Sequence, residues 1–162
     1  MRRQAGFFDV DDRLKRLSDL GDQLEAFEAA VEFEAFRPEL NAALTYSDGT
    51  QGGRPPFDPV MMFKILVIQT TNNLSDERAE FLINDRLSFM RFLGFGLSDR
   101  VPDARTIWLF REKLTKAGAI GPLFERFDSE VAPDFGTSGL VGRSVLRMVL
   151  DGAENDEDET EN

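Results

Sequence analysis

The residues best suited to chemistry lie in Asp103–Ala117, DARTIWLFREKLTKA. Arg105, Arg111, Lys113 and Lys116 bring four cations to one helical stretch, and Thr106 stands in its first turn. Arginine forks match guanine edges and phosphates, and lysines meet phosphates as point charges. These five residues are therefore the candidate DNA contacts. Ile107, Phe110, Leu114 and Ala117 recur at helical spacing and make one buried stripe. Arg105, Glu112 and Lys116 lie roughly opposite, with Leu109 beside them and Trp108, Arg111 and Thr115 on a flank. Glu112 opposes a phosphate-facing reading of that surface, and Leu109 exposed there has no part in it. Trp108 is expected to be a partly buried packing residue.

Other chemistries have little to work with. The sequence contains no cysteine and no histidine. Disulfides, thiolate nucleophiles, Cys/His zinc sites and imidazole acid–base catalysis are thereby excluded from it. No cofactor and no metal is expected for this chain. No stretch approaches the roughly 20 apolar residues of a membrane span, and MRRQAGFFDVDD lacks a signal-peptide core, so a soluble, cytoplasmic protein is expected.

A net charge of −11 argues against a nucleic-acid partner until it is divided along the chain. Residues 1–53 carry 6 basic and 11 acidic groups, residues 54–126 carry 11 and 9, and residues 127–162 carry 2 and 10. The acidity sits at the ends and the middle is mildly basic.

The elements that must position the basic stretch are helical. Phe57–Thr71, FDPVMMFKILVIQTT, is apolar on every side in its middle, with Asp58 to cap it and Pro59 where a missing N–H costs nothing. Such an element needs partners all round. It predicts a central buried helix over about 58–71 within a small all-α bundle. Before it, Leu14, Leu17 and Leu20 outline a short helix to Gly21, and Asp22 caps a second through Leu24, Phe27 and Val31. Pro38 starts a third within Phe33–Leu44, and Thr45–Pro56 is a turn-rich connection. After it, Ser75 caps a helix through Ala79, Phe81, Leu82 and Ile83, and Gly94 closes a short one through Phe89 and Phe92. Helix, turn and then a helix with a basic outer face suggest a helix-turn-helix ending in Asp103–Ala117. A last helix runs through Pro122, Leu123, Phe124 and Phe127. The expected organisation is a helical domain over 1–131 and an irregular to disordered acidic tail over 132–162, ending in DGAENDEDETEN.

Long words of the sequence are also familiar. GRPPFDPVMMFKILVIQ, NLSDERAEFLINDRLSFMRFLGFGL and DRVPDARTIWLFREKLTKAG, in that order, resemble the N-terminal domain of insertion-sequence transposases of the IS-five type. GFFDVDDRLKRLSDLGDQL before them and ERF at 125–127 fit the same family, so the resemblance covers about residues 5–130. It implies a helical domain that binds the terminal inverted repeats of a mobile element. In the family this domain precedes an RNase H-like domain, where Asp, Asp and Glu hold two divalent metals for phosphodiester attack. After about Ser129 the sequence departs from that pattern. Asp151, following Met148-Val149-Leu150, is the only residue that resembles the first catalytic Asp. Its distance from the matching part is wrong and no second or third acidic strand follows, so no catalytic residue is expected. The expectation is a truncated or frameshifted copy that binds DNA but does not catalyse transposition alone, Mg²⁺ belonging to the missing catalytic part. The alternative is an interaction module that assembles with full-length transposase, or with itself, without reading DNA.

Overall fold

A computed structural model of the chain describes residue 6, residues 8–47 and residues 57–135. Among these residues the structure is all helical, with no strand. Eight α-helices follow in order: α1 (Asp9–Leu20), α2 (Gln23–Ala30), α3 (Arg37–Ser47), α4 (Pro59–Asn72), α5 (Asp76–Asp85), α6 (Leu87–Leu93), α7 (Ala104–Lys116) and α8 (Ile120–Phe135). A 3₁₀ turn at Phe33–Phe36 leads directly into α3.

The expected central helix is there. Val60 to Phe63 and Ile65 to Thr70 are all buried, and α4 touches the 3₁₀ turn, α3, α5, α6 and α7. An aromatic cluster fills the space beside it. The Phe63 ring stacks on Phe36 at 5.0 Å and lies 5.4 Å from Phe124, while Phe33 bridges to Phe92 and Phe127. The single charge on α4 is Lys64. Its ammonium lies over the rings of Phe33 and Phe92, 5.0 Å from each centroid. The Nζ donates to the Phe92 carbonyl and to Glu28, all at 3.0 Å.

Helix ends follow the side-chain chemistry. Asp22, Asp58, Ser75 and Asp103 accept backbone N–H groups of the first turns of α2, α4, α5 and α7. Gly21 and Gly94 end α1 and α6 in the left-handed conformation, and Asn73 does the same for α4. Asp58 serves twice. Its Oδ2 accepts from the Met61 N–H at 3.1 Å, and Arg37 donates to both carboxylate oxygens, at 2.6 and 3.3 Å. Desolvation raises its pKa, but the hydrogen bonds from Arg37 and the Met61 N–H outweigh this and hold it below the ordinary 3.8. A depressed carboxylate stabilises the fold above its unfolded pKa, and that contribution is lost as the pH falls through the folded value. Asp58→Ala should therefore cost about 1–2 kcal/mol near neutral pH, from the cap and a half-exposed ion pair. The gap in Tm between the two proteins should close below pH 3.8, as thermal melts across acid pH would show.

α1 is attached differently from the rest. None of its residues is buried, and it packs on α6. Arg91 of α6 holds it, donating to the Leu14 carbonyl at 3.1 Å, to Ser18 Oγ at 2.9 Å and to Asp22 at 2.7 Å.

Two apolar residues depart from expectation. Phe81 is 57% exposed, because Ala79, Leu82 and Ile83 take the core face of α5 and leave it on the far side, under Arg78. Trp108 is 45% exposed rather than packed, since Ile107, Phe110 and Leu114 fill the buried stripe of α7. α8 continues to Phe135, past the expected boundary at 131. The connection expected over Thr45–Pro56 begins later, since α3 runs on to Ser47; its remainder at 48–56, Asp151 and the acidic tail from 136 onward lie outside the described residues.

Candidate nucleic-acid interface

α7 carries the predicted site, and its neighbours fix its pose. Its buried stripe of Ile107, Phe110 and Leu114 packs toward α3, α4 and α5. Two carboxylates close its N-terminus: Asp103 Oδ1 accepts the Thr106 N–H at 2.8 Å, and Glu80 of α5 accepts the Ala104 N–H at 3.2 Å. Hydrogen bonds from the Thr106 hydroxyl and N–H hold the Asp103 carboxyl below its usual range. An N-terminus already bearing two acids does not invite phosphate, so any anion contact on α7 belongs further along the helix.

At mid-length α7 is clamped by a polar node. Arg111 makes a bidentate pair with Asp76 of α5, at 2.8 and 2.6 Å, and donates to Gln69 of α4 at 3.3 Å. Gln69 in turn donates to Asp76 at 2.7 Å and to the Leu74 carbonyl. The Arg111 and Asp76 side chains are only 18% and 15% exposed. The guanidinium expected to reach DNA thus faces inward and ties three helices together. In the sequence Asp76 is a first-turn acid after the Ser75 cap, and Gln69 stands inside an apolar run. An amide in an otherwise apolar run was the one signal that a polar partner lay opposite.

The remaining predicted residues are placed as follows. Arg105 and Lys116 are exposed, Lys113 is half-buried, and none of the three has an ion pair among the described residues. Thr106 is half-buried, with its N–H and hydroxyl turned to Asp103. Glu112 sits half-buried on the same outward side, and Trp108 and Leu109, 45% and 39% exposed, make an apolar strip between the cations. Arg100, just before the helix, is exposed and stacks on Phe57.

The expected motif is not built as a tight one. A helix-turn-helix joins its helices by three or four residues. The segment before α7, residues 94–103, is longer. It begins at the left-handed Gly94, packs Phe95 against the core and buries Pro102. The short turn instead follows α7, at Ala117–Ala119 with Gly118 at φ 66°. The helix after that turn, α8, presents Glu125, Asp128 and Glu130, and burial pushes the Asp128 carboxyl up. Its Arg126 is engaged with Glu39, Glu130 and the Phe36 ring.

Among the described residues no three acidic, His or Cys side chains converge to hold a metal ion. The donor set for a two-metal phosphodiester site is not met by these residues. No helix among them is long and apolar enough to cross a membrane.

Residues 12–113 match the family described as Transposase domain (DUF772). The match covers more than half of the sequence and runs from α1 to near the end of α7. The chain belongs to this transposase-domain family. No curated protein and no solved structure matches it.

Proposed function

We propose that this domain binds DNA at the ends of an insertion sequence, through the outward face of α7. The observation that carries this is that Arg105, Lys113 and Lys116 have no ion-pair partner among the described residues and lie along one helix of a transposase-family domain, whose other face is locked into the bundle. Arg105 and Lys116 meet phosphates or base edges, Lys113 supports them from the side, and Thr106 holds the first turn. Arg111 acts on DNA only through the pose of α7. Phosphodiester chemistry falls to carboxylates beyond these helices, so the domain alone recognises DNA without cutting it. Family membership supports a role in transposition in general; the IS-five type assignment and the terminal inverted repeats as target belong to this proposal.

A mobility-shift titration against duplexes carrying terminal inverted repeats, at several salt concentrations, tests it. Arg105→Ala with Lys116→Ala should weaken binding at least tenfold and make the salt dependence shallower, by about 1 per lost phosphate contact. Arg111→Met should leave the salt slope unchanged. Equal affinity of the doubly substituted and unsubstituted chains would remove this face from the proposal.

One observation favours a second reading. Trp108 and Leu109 place large apolar surface on the same side of α7, which suits a protein partner, either a full-length transposase or a second copy. Light scattering of the same samples, alone and mixed with a full-length relative, separates the two readings. A monomer that ignores the relative eliminates the second.

A further inference from the structure

We infer that the acidic run Asp151–Glu161 docks on the outward face of α7 of its own chain, occupying the surface that nucleic acid would otherwise take. The inference rests on the preceding reading only for its consequence; the contact itself stands on charge and reach. Residues 151–162 hold seven carboxylates and no cation, which is the densest run of one sign in the chain. On the folded part, five of the fourteen described cations, Arg37, Lys64, Arg91, Arg111 and Arg126, are held in ion pairs. Among the described residues, cations without an ion pair cluster on α1 and on α7, while Arg78 and Arg86 stand singly over the Phe81 and Phe89 rings. On α1, Arg13, Lys15 and Arg16 stand among Asp9, Asp11, Asp12 and Asp19. On α7, Arg105, Lys113 and Lys116 stand with Glu112 on the outward face and with Asp103 at the helix start beside Arg105, and Arg100 is nearby in sequence. The α7 face is therefore the better partner for a polyanion.

The chain can make the connection. Three residues separate α7 from α8, and α8 is 16 residues long, about 24 Å of helix, so its end lies no further than roughly that length from the turn after α7. Residues 136–150 then separate its end from the acidic run, and a segment of that length spans up to about 50 Å. A tether of this size gives an effective concentration of order mM, enough for a multivalent ionic contact too weak to hold between separate molecules. Like any exposed ionic contact it fades above about 0.1 M salt, where the screening length is roughly 10 Å.

The four lysines of the sequence make a clean test, because Lys113 and Lys116 lie on α7, Lys64 is paired with Glu28, and Lys15 lies on the competing α1 cluster. Zero-length carbodiimide cross-linking of the full chain at low salt, followed by peptide mapping of the monomer band, should join carboxylates of 151–161 to Lys113 or Lys116. These links should disappear at 0.5 M salt, while Lys64–Glu28 remains as the internal control. Links spread equally to Lys15, absent altogether, or confined to the dimer band overturn the inference. A second variant, with the Asp and Glu residues of 151–161 replaced by Asn and Gln, adds a readout on function. It should bind duplex DNA about tenfold more tightly than the unsubstituted chain at low salt, and equal affinity counts against the inference. If neither protein binds DNA, the DNA-binding proposal fails, and the cross-link map alone decides whether the tail docks.

Discussion

Phe63→Ala should remove about 3–5 kcal/mol from the stability of the domain, the cost of truncating a fully buried aromatic whose surroundings cannot close over the space. Phe63 is fully buried, and its ring touches three others, Phe36, Phe33 and Phe124, contributed by the 3₁₀ turn and α8. Those segments come from opposite ends of the domain sequence, so one side chain joins early and late parts of the chain. Domains of this size are stable by only about 5–15 kcal/mol, so the variant should unfold at a much lower urea concentration. Phe81→Ala is the matched control. The same residue type on the exposed side of α5 should change stability by no more than about 0.5 kcal/mol. If the two substitutions cost the same, the cluster around α4 is not the core.

The second large effect is expected at the node beneath α7. Asp76→Ala leaves the Arg111 guanidinium facing inward without its carboxylate and takes from Gln69 its best acceptor. Removing one member of a fully buried pair costs about 3–5 kcal/mol, and the partial exposure here brings the expectation to about 2–4 kcal/mol. The sign of the coupling is the informative part. Adding Arg111→Met should recover part of the loss, because the orphaned charge goes with it and a methionine stem can still pack. A urea-denaturation cycle over the two single variants and the double variant measures this. Strictly additive losses would mean that the pair, though close, does not couple α5 to α7.

The helices themselves were legible because their ends are written in local chemistry. Asp22, Asp58, Ser75 and Asp103 each cap a helix through their own side chain, and Gly21 and Gly94 stop one by adopting a positive φ. The apolar run of α4 could be read as central because no orientation of it leaves a solvated face. What could not be read is which way a boundary residue turns. Arg111 lies at the edge of the α7 stripe, and whether an edge arginine reaches out or folds in depends on a carboxylate 35 residues earlier. Trp108 is the converse. Its type argued for burial, but the stripe beside it was already filled. Spacing likewise gave the basic helix without the length of the connection before it, which Phe95 and Pro102 anchor to the body of the domain. Of the five residues proposed from sequence, Arg105 and Lys116 stand on the open face and Lys113 at its side. Thr106 and Arg111 are occupied by contacts within the domain.

Lys64 gives α4 something that its hydrocarbon neighbours cannot. A cylinder greasy on all sides fits its socket almost equally well at several rotations, and cores filled by size alone lose uniqueness before they lose stability. One ammonium with one exit ends that degeneracy. Turning the cylinder by a single residue, about 100°, would bring the cation away from Glu28 and into hydrocarbon. The lysine is thus a key cut for one azimuth, and through that azimuth it also sets where Gln69, one and a half turns further on, presents its amide.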